Sequence, residues 1–129
     1  MAVRAIRGAT QLDVDDREHL LERVSELVST VLRDNDLDAD SLISILFTAT
    51  QDVHSEFPAY AARQLGMVDV PLLCTLELEV GDGMPRVIRL MAHVETELSR
   101  ADVTHVYLHG AAALRRDLAR VNSHEQAGR

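Results

Sequence analysis

Two arginines interrupt runs that otherwise read as apolar β-strands: Arg7 in Ala-Ile-Arg-Gly-Ala-Thr and Arg89 in Arg-Val-Ile-Arg-Leu-Met. A guanidinium stays charged and offers five donors in a planar fork, so one set beside a core must meet a carboxylate or another anion. A fold that accepts both arginines therefore needs a pocket lined by strands, and the pocket suits a small molecule with several negative charges. All 13 basic residues of the chain are arginines. A composition bias explains that total, but not the placement of arginines inside strands.

The remaining composition narrows the possibilities. With 129 residues, 47% of them hydrophobic, the chain suits one globular domain with a single core. Aromatic residues make up only 3%, which leaves the core to Leu, Val, Ile and Ala and removes the stacking platforms of single-strand binders. A formal charge of −8 argues further against a nucleic-acid partner. The most apolar run, Leu42 to Ala49, is too short to span a bilayer, so no membrane partner is expected. The N-terminus lacks the apolar core of an export signal, and the single cysteine, Cys74, allows no internal disulfide; both suit the cytoplasm.

Hydrophobic spacing predicts a first strand over residues 1 to 10. Asp15 with Glu18 forms a capping-box-like start to a helix over 16 to 34, whose apolar stripe runs through Leu20, Leu21, Val24, Leu27, Val28, Val31 and Leu32. A helical turn at 38 to 42, a strand at 43 to 49 and a helix from Phe57-Pro58 to Leu65 follow. Strands at 72 to 80 and 86 to 95, joined through Gly81-Asp82-Gly83, are expected to pair as a hairpin. A last strand at 104 to 109, a helical piece at 111 to 118 and a polar tail over 119 to 129 complete the chain. The order gives an α+β fold, a mixed β-sheet packed against helices on one face. The other face and an edge are left to bury, which favours oligomerisation.

Alternation along the strands groups Val87, Arg89, Met91 and His93 on one face, and His105, Tyr107 and His109 on another. Glu77 and Arg89 stand on either arm of the expected hairpin as near neighbours. Spacing by itself favours a structural cross-strand ion pair for these two, and a small buried hydrophobe for Cys74. No His-Glu-x-x-His, Cys-x-x-Cys or glycine-rich phosphate loop occurs, so neither a metal nor a cofactor is expected.

Read together, several blocks resemble the AroH-type chorismate mutases over about Val3 to Leu118. They are Arg4 to Thr10, Ala49-Thr50-Gln51-Asp52-Val53-His54, Phe57-Pro58-Ala59, Ala62-Arg63 and Val70-Pro71-Leu72 with Cys74 and Glu77. Ile88-Arg89, His105-Val106-Tyr107-Leu108, and Leu114-Arg115 with Asp117-Leu118 continue the series. The resemblance implies a single chorismate mutase domain over residues 1 to 118, assembled as a pseudo α/β-barrel homotrimer with sites between subunits. It implies cofactor-free rearrangement of chorismate, a dianion, to prephenate in phenylalanine and tyrosine biosynthesis. By position, Arg89 is similar to the donor to the ether oxygen, Arg7 and Tyr107 to the grips on a carboxylate, and Glu77 to the acceptor of the substrate hydroxyl. Cys74, Phe57, Ala59, Arg63, Leu114 and Arg115 would line the same site, some from a neighbouring subunit. Strict alternation sets Cys74 and Glu77 on opposite faces, so both reach one pocket only if the strand bulges or ends between them. The chain departs from the family pattern at Tyr60, Leu73 and Arg116. The alternative is a trimeric module that binds a small carboxylate without turnover.

Overall fold

The structure, a computed structural model, describes residues 1–114. The expected tail and Arg115 lie outside the described residues. Five strands form one mixed sheet: β1 (Ala2–Gln11), β2 (Leu42–Ala49), β3 (Leu72–Leu76), β4 (Val87–Thr96) and β5 (Val106–Leu108). Two helices, α1 (Arg17–Asp34) and α2 (Pro58–Gln64), cover one of its faces, and short 3₁₀ turns occupy Ala39–Ser41 and His109–Ala111. The α+β reading of the sequence describes this arrangement.

The helix α1 forms because its apolar stripe has helical spacing and its first turn is capped. Leu20, Leu21, Val24, Leu27, Val28 and Val31 are buried against the sheet. The cap falls one residue later than expected: Asp16, not Asp15, accepts a hydrogen bond from the His19 N–H at 3.1 Å. Asp15 accepts instead from the backbone N–H groups of His54 and Ser55, tying the start of α1 to the β2–α2 loop. At the other end the buried Asn35 amide donates to Val31 O and Thr104 O and accepts from Thr104 N–H. One side chain thus closes the helix and fixes the approach to β5.

The strand order is β3-β2-β4-β1-β5, and it corrects the expected hairpin. Strand β2 lies between β3 and β4, pairing in parallel with β3 and antiparallel with β4. Ile45 and Phe47 of β2 are fully buried, and a strand with such residues is stable in the middle of a sheet rather than at its edge. Strand β3 ends at Leu76, not at residue 80, and the chain from 77 to 86 crosses the end of β2 to reach β4. The Gly81-Asp82 turn lies within that crossing.

Period-two alternation divides the sheet cleanly. Ile6, Ile45, Phe47, Ile88, Leu90, Ala92 and Val94 face the helices and form the core with α1 and α2. The opposite face carries Arg7, Leu46, Thr48, Leu73, Arg89 and Met91, and no described element covers it. No helix among the described residues is long and apolar enough to cross a membrane.

Candidate active site

The uncovered face is organised in rungs across the strands. Thr48 of β2 pairs with Arg89 of β4, Arg89 with Ala9 of β1, and Ala9 with Tyr107 of β5. The next rung carries Leu46, Met91 and Arg7. Arg89 and Tyr107 are therefore two strand spacings apart, roughly 10 Å, and Arg7 stands one same-face step along. A small dianion fits that separation. These residues line a concavity of about 470 Å³ with Glu77, Gly8, Leu90 and Leu114.

Glu77 enters this concavity although it follows the last residue of β3. Its N–H still donates to Ala49 O at 2.9 Å, which carries the ladder one step past the strand. Its carboxylate then reaches across β2. Glu77 Oε1 lies 3.2 Å from Arg89 Nε, and the Thr48 hydroxyl donates to the same oxygen. Glu77 and Arg89 meet as the sequence suggested, but over an intervening strand instead of along a hairpin. The ion pair is partly exposed, with 48% of the Arg89 side chain open to solvent, so this cation can still engage a ligand.

At β5, whose ladder is only three residues long, His105 extends the attachment. Its Nδ1 accepts from the Arg7 backbone N–H at 2.9 Å. This contact and the Ala9–Tyr107 ladder pair hold the β1 and β5 backbones together beside Arg7 and Tyr107.

The remaining residues expected at the site lie elsewhere. Phe57 and Cys74 line a second concavity of about 440 Å³, between the start of α2 and β3, which shares no lining residue with the first. Ala59 is buried in the core, while Arg63 is exposed on α2. Burial pushes the Cys74 thiol up, against the smaller opposing effects of the Ala59 backbone and the Arg63 charge, so it is a protonated wall group at neutral pH. Although β3 ends before Glu77, Cys74 is not brought into the concavity of Glu77 within this chain. Among the described residues no three His, Cys, Asp or Glu side chains cluster as metal ligands would. Thr48 is the polar residue that the reading of motifs passed over. Its signal was a hydroxyl, like that of Ser44, on the alternate face of a largely apolar strand.

Comparison with known proteins identifies the family. The family profile described as chorismate mutase type I matches residues 3–118. Chorismate mutase AroH of Thermus thermophilus is 43% identical over 117 residues, covering 90% of this chain and 96% of that protein. Chorismate mutase AroH of Bacillus subtilis is 36% identical over 120 residues, covering 92% and 94% respectively. A solved structure of the chorismate mutase from Clostridium thermocellum superposes with a TM-score of 0.84 at 37% identity, over 85% of this chain and 98% of that one. The chain belongs to the type I chorismate mutase family.

Proposed function

We propose that this protein is a chorismate mutase, converting chorismate to prephenate on the route to phenylalanine and tyrosine. The observation that carries the reading is the placement of Arg89, an arginine on an open sheet face that is only partly occupied by Glu77. Chorismate is a dianion with a hydroxyl and an enolpyruvyl ether. Its [3,3] rearrangement breaks the C–O ether bond and forms a C–C bond in one concerted step, through a compact chair-like geometry. The step needs no proton transfer and no covalent intermediate. A protein accelerates it by restricting a flexible substrate to the reactive conformer and by stabilising negative charge that develops on the ether oxygen.

Arg89 is the donor to that oxygen, and a preorganised donor of this kind is worth about 3–4 kcal/mol. Arg7 and Tyr107 hold a carboxylate from the far side of the concavity. Glu77 accepts from the substrate hydroxyl and balances charge on the ring. The chain's acidic balance does not oppose binding, because screening limits remote charges to about 8 Å at physiological salt. A close Arg–carboxylate contact is worth about 4 kcal/mol at an effective dielectric of 20, before desolvation.

The assembly belongs to the same reading. The open face exposes Leu46, Leu73 and Met91, and Phe57 and Leu76 are exposed nearby. A homotrimer closing as a pseudo α/β-barrel covers this apolar surface. It also sets the concavity of Phe57 and Cys74 from one subunit, with Arg63 and the Ala59 backbone beside Cys74, against that of Arg7, Glu77, Arg89, Tyr107 and Leu114 from the next. Arg115 would join the second group. The single domain over residues 1 to 118 acts in the cytoplasm, with Cys74 as a free thiol.

Loss of chorismate absorbance on adding the purified protein tests the activity, with acid conversion of the product to phenylpyruvate as confirmation. Light scattering during size exclusion tests the trimer. Tight chorismate binding by a folded trimer without turnover would replace the enzyme by a carboxylate-binding module.

A further inference from the structure

The ion pair at the centre of the site has an unusual economy. Arginine and a carboxylate left to themselves favour a two-pronged fork, with two parallel N–H···O bonds. Such a fork would use both oxygens of Glu77 and two of the donors of Arg89. In this protein one oxygen, Oε1, carries both contacts, receiving the Thr48 hydroxyl while approaching Arg89 at Nε. Among the described residues no hydrogen bond engages Glu77 Oε2 or the two terminal nitrogens of Arg89. These are the groups that the mutase reading directs at the substrate.

Thr48 is well placed to impose that geometry. It sits on the strand between those of its two partners, opposite Arg89 in the β2–β4 register and opposite Thr75 in the β2–β3 register. Both neighbours in the ladder hold its backbone, and a β-branched side chain on a strand has few χ1 alternatives. The hydroxyl is thus a fixed donor from a rigid element, aimed at the one oxygen that must not rotate away.

We propose that Thr48 is a positioning residue, whose hydroxyl holds Glu77 in a one-oxygen contact with Arg89 and so keeps the terminal guanidinium donors and Glu77 Oε2 free for substrate. The role rests on the mutase reading above, but its structural part does not. Removing the hydroxyl in Thr48→Val keeps the side-chain shape and lets the carboxylate turn to form the fork. The expected result is a fall in kcat of about 10- to 100-fold, the scale of one hydrogen bond to a charged group, with a smaller change in KM. Thr48→Ser restores most of kcat.

The decisive companion measurement is the ligand-free crystal structure of Thr48→Val, in which both Glu77 oxygens should pair with Arg89. Unchanged kcat in Thr48→Val, or a serine variant as slow as the valine one, would overturn the role. So would a Glu77 carboxylate that keeps its single contact without the hydroxyl. If the wild-type protein fails to convert chorismate, the mutase reading falls, and the crystal structure of the valine variant alone decides whether Thr48 orients the pair.

Discussion

The two faces of the sheet are made by the same strands, often by consecutive residues, yet they do different things. Phe47 and Ile88 point toward the helices and are completely buried, whereas their neighbours Thr48 and Arg89 point the other way and form the site. The core face is held by close packing of aliphatic side chains, which penalises any change of volume. The open face is held by the backbone ladder beneath it, so its side chains are free to carry charge. Charge can be concentrated here without weakening the fold, because each site residue borrows its rigidity from a buried neighbour one position away.

The comparison breaks most visibly if the two faces do not separate stability from activity. Phe47→Ala should cost about 3–5 kcal/mol of stability, read as a lower urea midpoint, while the folded fraction keeps its turnover per molecule. Arg89→Ala should reverse that pattern, lowering kcat by about 10²–10³-fold or more with an unchanged urea midpoint. A large loss of stability in the second variant would mean that the ion pair with Glu77 holds the sheet together and is not reserved for ligand. The graded Thr48 series sharpens the same contrast, since it alters the geometry of the pair without removing either charge.

A smaller effect is expected where the faces come closest. Gly8 follows Arg7, and a Cβ added to it would lie 3.2 Å from Leu27 Cδ1 and from Leu90 Cδ1. Gly8→Ala requires the Leu27 and Leu90 side chains to give way by a few tenths of an ångström, so a cost of about 1 kcal/mol is expected. Thermal denaturation measures that cost, and KM for chorismate reports whether the shift reaches Arg7.

The smallest effect concerns pH. Burial raises the Asp52 carboxyl, but hydrogen bonds from the Thr50 hydroxyl and the Arg86 N–H outweigh it and hold the group below its usual range. Asp52 binds its proton less readily in the folded state than in the unfolded one. Its stabilisation is therefore present above the unfolded value, about 3.9, and is lost as pH falls through the lower folded value. Urea midpoints measured between about pH 5 and 2.5 should fall less steeply in Asp52→Asn than in the wild type. Asp15, depressed by its bonds to Ser55 and His54 in spite of burial, contributes the same sign in both proteins. Equal slopes would show that the clasp at the start of β4 adds nothing to acid stability.

Much of this was legible along the chain because it is local. The apolar stripe of α1, the alternation of β2 and β4, and Pro58 in the first turn of α2 are periodicities that any window of ten residues displays. Arg7 and Arg89 could be singled out because a charge inside an apolar run is anomalous wherever it occurs. The family likeness adds roles for them, since its blocks keep order and spacing.

What lay beyond the sequence is the pairing of strands. A Gly-Asp-Gly turn between two apolar segments has the signature of a hairpin, and nothing local says that a third strand will enter between them. That decision belongs to the core as a whole, where Ile45 and Phe47 need neighbours on both sides. Thr48 acquires its place between Glu77 and Arg89 only through that insertion, and Asp15 rather than Asp16 could look like the cap because both are carboxylates at one helix start. Sequence by itself determined which residues are charged, which are apolar and how each segment alternates. Tertiary structure alone decided which charges meet, because side chains far apart in sequence are brought within hydrogen-bond reach only by a strand order selected through burial of the core.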